Sequence, residues 1–154
     1  MRAGRRAFVA ALAGALVAAP VWPCAYAQSQ GANSKLAASE WVAIRRAIDD
    51  QRKALKSGDA RKAFSYASSG IRAQFRTPEA FIAMVREGYG ALLDARYVVA
   101  FLEGAVIEGA IIQPLRLVAP DNSVLVALYT MEKRKDGRWT IAGCVLAPST
   151  VQAA

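Results

Sequence analysis

Tyrosines, a cysteine and scattered carboxylates are the side chains with which this chain could do chemistry, because none of its 154 residues is a histidine. That absence excludes Ser-His-Asp and Cys-His catalysis as well as histidine-ligated zinc or iron, since no other side chain has an unperturbed pKa near neutrality. Of the two cysteines, Cys24 lies in a segment with the features of a leader, so the mature chain would keep Cys144 alone. One thiol makes no intrachain disulfide, no thiolate metal cluster and no dithiol redox pair. Carboxylate chemistry and an oxygen-ligand cation site remain open. A carboxylate becomes a working acid or base when an apolar setting raises its pKa. Here Asp94, Glu103 and Glu108 fall at strand ends or turns, Glu87 on the last turn of a helix, and Glu132 on the outward face of a strand. No catalytic residue, metal ligand or cofactor is therefore assigned. Cys144, mid-strand beside Gly143, fits a buried small hydrophobe better than a reactive thiol. Gly88-Tyr89-Gly90 follows a helix instead of opening one, so it is no phosphate loop.

The elements that must position these groups are clearest from Val124 to Leu146, where two apolar runs flank Lys135-Asp136-Gly137. This spacing predicts a β-hairpin. A two-residue Asp-Gly turn would place Trp139 and Ile141 with Glu132 and Arg134, whereas a three-residue loop with Gly137 left-handed places them with Tyr129 and Met131. The second register gathers the large apolar groups on one face, beneath a cover of helices, and is the one expected. Val126, Leu128, Cys144 and Leu146 would then take the other face. Upstream, strands are predicted at 97–102 and 109–118.

Residues 39–95 carry helical periodicity instead. Ser39 is the predicted cap of a first helix with Trp41, Ile44, Ile48 and Leu55 on its apolar stripe, and Arg45, Asp49, Arg52 and Lys53 on the solvent side. Ser57-Gly58 ends it, and Asp59 caps a short second helix to about Ala67. One turn from Ile71 to Phe75 follows. Thr77-Pro78-Glu79 opens a further helix that runs to about Gly88 and buries Phe81, Met84 and Val85. Helices first and strands afterwards specify an α+β domain over residues 39–147, with helices on one face of an antiparallel sheet.

At the start, Arg2, Arg5 and Arg6 precede the apolar run from Ala7 to Val21, and Ala25-Tyr26-Ala27 has the small-x-small form of a cleavage site. Residues 1–27 are expected to be a signal peptide cleaved after Ala27, which would make the mature protein periplasmic or secreted, with no transmembrane segment after cleavage. Arg5-Arg6-Ala7-Phe8-Val9 resembles the twin-arginine pattern, although the polar residue usual before the arginines is missing. Residues 28–38 would be a flexible tether and 148–154 a disordered tail. The formal charge of +8 falls once the leader is removed, leaving 17 basic and 12 acidic residues. No aromatic side chain is interleaved with the basic clusters as a stacking platform would need, so no nucleic-acid partner is expected.

With the elements in this order the chain resembles the nuclear transport factor 2-like (SnoaL-like) superfamily. The similarity sits in Leu55-Lys-Ser-Gly-Asp59 with Ala63-Phe64, and in Leu128-Tyr129 with Asp136-Gly137-Arg138-Trp139-Thr140-Ile141. More narrowly, Phe64 to Tyr89 together with Ala127 to Cys144 resembles the exported bacterial family of domain of unknown function 4864. The resemblance implies export and a cone-like fold, a helical half over a strongly curved sheet, and carries over no catalytic residue. Tyr66, Tyr89, Tyr97, Gln113, Arg116, Tyr129 and Trp139 are the polar-tipped side chains that could line such a cone as a ligand site. The commoner role of a Tyr or Trp is to turn its polar tip to solvent or a backbone carbonyl. The expected function is a non-catalytic envelope module that binds a small apolar or amphipathic ligand or pairs as a homodimer through its sheet. The alternatives are a small cofactor-independent isomerase or dehydratase using a pocket carboxylate and a tyrosine, and a weak binder of anionic envelope surfaces.

Overall fold

The computed structural model describes residues 36–149; the expected leader, most of the tether and the last residues of the tail lie outside them. Five helices precede five strands: α1 (Ala38–Ser57), α2 (Ala60–Ser65), α3 (Ser69–Phe75), α4 (Pro78–Gly88), α5 (Gly90–Leu93), then β1 (Val98–Phe101), β2 (Ala105–Ile107), β3 (Ala110–Val118), β4 (Val124–Lys133) and β5 (Trp139–Pro148). The architecture is α+β, as the order of helical and alternating patterns requires.

Local chemistry sets most of these boundaries. α1 begins at Ala38 with Ala37 at the cap position and no side-chain hydrogen bond, so Ser39 is not the cap. The Gly58 N–H closes the other end of α1 on the carbonyls of Ala54 and Leu55. Asp59 accepts from the Lys62 N–H, Ser68 from Ile71 and Thr77 from Ala80, each satisfying a first-turn donor that its helix cannot. α5 was not expected: Gly90 does open a helix, though one of only four residues.

All strand pairs are antiparallel, in the order β1-β3-β4-β5. β2 pairs with the other half of the β3 edge that β1 uses. It is a fifth strand, in the stretch between those expected at 97–102 and 109–118, and it joins β3 through Glu108-Gly109, both at positive φ. That is the two-residue hairpin geometry matched to strand twist, written here without the Asn-Gly or Asp-Gly signature.

The β4–β5 hairpin has the predicted register. Arg134 and Arg138 bracket Lys135-Asp136-Gly137, Gly137 is left-handed at φ +85°, and Trp139 pairs with Lys133. Tyr129, Met131, Trp139 and Ile141 are all buried. One residue later the expectation fails. A β-bulge at Ala142 makes Thr130 pair with Gly143 and Tyr129 with Cys144, so β5 flips faces beyond Ile141. Cys144 and Leu146 therefore pack against the core, while Leu128 and its partner Val145 are exposed on the outer face. β5 also runs to Pro148, and the Ser149 N–H donates to Val124 O, so the strand holds residues expected in the tail.

Two apolar clusters result. One lies between α1, α5 and the sheet, built on Ile44, Ile48, Leu92, Leu115, Leu117, Tyr129, Met131 and Ile141. The other lies among the helices, where Leu55, Phe64, Phe81, Ile82 and Val85 meet. Phe81 is its hub, with ring centroids 5.5 Å from Phe64 and 5.8 Å from Phe75. The two clusters meet beside β5.

Candidate ligand-binding site

At that seam is a half-open cavity of about 390 Å³. The helical side contributes Leu55, Ile71, Phe75, Phe81, Met84 and Val85, and the sheet contributes Tyr129 and the stretch from Ile141 to Cys144. The bulge at Ala142 is what brings Gly143 and Cys144 to this wall. The volume lies within the range of about 300–1,000 Å³ of ordinary small-molecule sites. Ile71, Phe75 and Met84 are only half-buried and Gln74 is exposed, so the cavity opens on the α3–α4 side.

Few polar groups reach this lining, and no carboxylate is among them. The Gln51 side chain donates to Ala63 O at 3.3 Å, and the Tyr89 hydroxyl donates to Cys144 O at 2.9 Å. Both are occupied in tying helices to neighbouring backbone. Tyr129 is different: it is 1% exposed and its hydroxyl has no hydrogen-bond partner among the described residues. The Cys144 thiol lies near enough to interact with that hydroxyl without meeting it in hydrogen-bond geometry. Burial raises the Tyr129 pKa far above its usual range, so the phenol is a neutral donor. Burial likewise pushes the Cys144 thiol up to about 12, against a smaller opposing pull from Tyr129, which makes it a thiol and not a nucleophilic thiolate at neutral pH.

Arg52, on α1, is a second buried polar side chain with unpaired atoms. Its side chain is buried, its Nη1 lies 3.5 Å from an Asp49 oxygen, and its Nε and Nη2 have no partner among the described residues. It is not on the solvent side of α1, where it was expected. Arg45 is half-buried too, over the Phe101 ring and 3.3 Å from Gln113 Oε1. Helical spacing does carry the signal: Gln51 and Arg52 fall between Ile48 and Leu55 on one stripe, and only their polarity argued for solvent.

Of the seven side chains proposed to share a pocket, the fold brings Tyr89 and Tyr129 to this cavity. The other five stand elsewhere. Gln113 is fully buried and donates to Leu102 O and Pro114 O, satisfying backbone where the edge of β3 passes from β1 to β2. Arg116, three residues on, belongs to the opposite face of the strand, because side chains alternate; the two cannot line one cavity. Trp139 packs in the sheet core and donates its indole N–H to Glu40 at 2.6 Å, with Lys133 on the same carboxylate. Tyr97 packs at the margin of the sheet cluster. Tyr66 lies beside the Ala67–Ile141 bridge, and its hydroxyl is 3.4 Å from Asp50 Oδ2. Burial, and then Asp50, raises its pKa, which makes it a poor proton donor.

Among the described residues no three acidic, cysteine or histidine side chains gather as a metal site, and no helix is long and apolar enough to cross a membrane. No curated protein and no solved structure matches the chain. The family model described as domain of unknown function DUF4864 matches residues 37–154, nearly all of the folded part, and the chain belongs to that family.

Proposed function

We propose that this protein is an exported, non-catalytic binding module whose cavity beside β5 takes a small amphipathic molecule. The observation that carries this reading is the buried Tyr129 hydroxyl, a donor without an acceptor among the described residues, on the wall of a mostly apolar cavity. A buried unpaired hydroxyl costs about 1–3 kcal/mol. A ligand oxygen placed there removes that cost and seats its apolar part against Phe81 and Met84. The absence of a carboxylate from the lining favours binding over acid–base chemistry. Export to the cell envelope rests on the basic, apolar and small-residue pattern of residues 1–27. The helices-then-sheet order is in keeping with the nuclear transport factor 2-like resemblance.

Native mass spectrometry of the mature protein purified from the cell envelope tests the reading. A reproducible adduct of a few hundred daltons, lost when the cavity is filled by Val85→Trp, is the expected result; the bare polypeptide mass in every preparation refutes it.

A second reading concerns the outer face of the sheet, where Leu128 and Val145 form an exposed apolar cross-strand pair, 39% and 61% accessible. Two copies pairing through this face would cover it. Sedimentation of the mature protein at micromolar concentration, alongside Leu128→Lys, distinguishes a dimer abolished by the charge from a monomer.

A further inference from the structure

No lysine, arginine, aspartate or glutamate lines the cavity, and the polar side chains that do are few. The Gln51 amide and the Tyr89 hydroxyl already donate to backbone carbonyls, and Gln74 is exposed at the opening. What remains on the sheet wall is the Tyr129 hydroxyl, without a partner among the described residues, and the Cys144 thiol, on residues that pair directly across the β4–β5 ladder. Both keep their protons at neutral pH, because burial raises both pKa values. This pair therefore offers hydrogens and no charge. Arg52 and Asp49, the charged side chains that bear on Tyr129, lie outside the lining, are paired with each other and act on the phenol in opposite senses. A carboxylate or an ammonium drawn into this space would lose its water and meet no counter-charge. A neutral oxygen loses far less hydration and accepts the hydrogen bond that Tyr129 otherwise leaves unmade.

We propose that the cavity selects an uncharged, mainly apolar molecule with an acceptor oxygen, such as a ketone or an ester, whose oxygen accepts from the Tyr129 hydroxyl while its hydrocarbon lies against Phe75, Phe81 and Met84. This rests on the reading of the cavity as a binding site and adds the charge and hydrogen-bonding class of the occupant.

The test is calorimetric titration of the mature protein at neutral pH with 2-decanone, decanoate and decylammonium, each below the concentration at which it aggregates, together with the infrared carbonyl stretch of the bound ketone. The ketone is expected to bind at least tenfold more tightly than either ion, with its stretch below the frequency found in hexane. Tyr129→Phe, which removes only the hydroxyl oxygen, is expected to weaken 2-decanone several-fold and to return the stretch towards the hexane value. Thermal melts establish that the variant is folded; should it fail to fold, the ranking of the three probes and the stretch in the native protein still decide. A charged probe that binds as tightly as the ketone, or a stretch that Tyr129→Phe leaves in place, overturns the assignment and leaves the cavity reading standing. Binding of none of the three overturns both.

Discussion

Gly104, between β1 and β2, is where the arrangement of α1 over the sheet can be tested with a single methyl group. A Cβ built there would lie 2.2, 2.6 and 2.7 Å from three carbons of the Trp41 ring. Ordinary contact begins near 3.4 Å, so the indole would have to retreat by more than 1 Å. It cannot do so freely, because Trp41 is packed against the sheet cluster one turn before Ile44, a fully buried residue. The backbone at Gly104 is not in the positive-φ region, so alanine adds no conformational strain of its own and the penalty is steric. Overpacking of this kind costs about 1–3 kcal/mol. Gly104→Ala should therefore lower the melting temperature by about 5–15 °C for a domain of this size. Urea unfolding followed by circular dichroism gives the free energy without relying on the fluorescence of the perturbed tryptophan. The same substitution in a Trp41→Leu background should cost less than about 0.5 kcal/mol, since the ring it strikes is gone. A Gly104→Ala protein as stable as its parent, or a cost that persists without Trp41, refutes the packing of α1 on this corner.

Other expectations follow from single contacts. Gly137→Val places a β-branched residue at φ +85° in the hairpin loop and should destabilise by about 1–2 kcal/mol, read from urea midpoints. Glu40 has its pKa lowered from 4.5, first by the Lys133 hydrogen bond and then by that of Trp139; its contribution is present above pH 4.5 and lost as the pH falls through the depressed value. Wild type should thus exceed Glu40→Gln in stability at neutral pH, with the gap closing below pH 4.5 in acid melts. Cys144, raised from 9.0 to about 12, contributes stability that is full below pH 9 and fades between pH 9 and about 12, so Cys144→Ala should flatten the alkaline limb. At pH 7 the native thiol should react with a thiol reagent far more slowly than the urea-unfolded chain; comparable rates would contradict its burial.

Much of this architecture was legible in the residues. Helical and alternating periods separate cleanly at about Arg96, Thr77-Pro78 and Asp59 mark their helix starts, and polarity alone chooses the three-residue loop at Gly137. The site was less legible, for three physical reasons. A β-bulge is one extra residue with no composition of its own, and the one at Ala142 decides which way Cys144 points. Arg52 and Gln51 sit at buried helical positions that their polarity disguised. The seven polar tips were gathered by chemistry and not by face, although Gln113 and Arg116, an odd number of residues apart on one strand, could not share a wall. β2 was missed because Glu108-Gly109 forms the tight turn that Asn-Gly would have announced.

The claim on which the rest depends is that the cavity at the seam of the two clusters, and not the exposed face of the sheet, receives a ligand. Methyl chemical-shift mapping of the mature protein during addition of 2-decanone tests it most directly. Saturable shifts confined to Leu55, Ile71, Met84, Val85, Leu92 and Ile141 are the predicted result; shifts at Val98, Leu128 and Val145 instead, or at no methyl group, would contradict it.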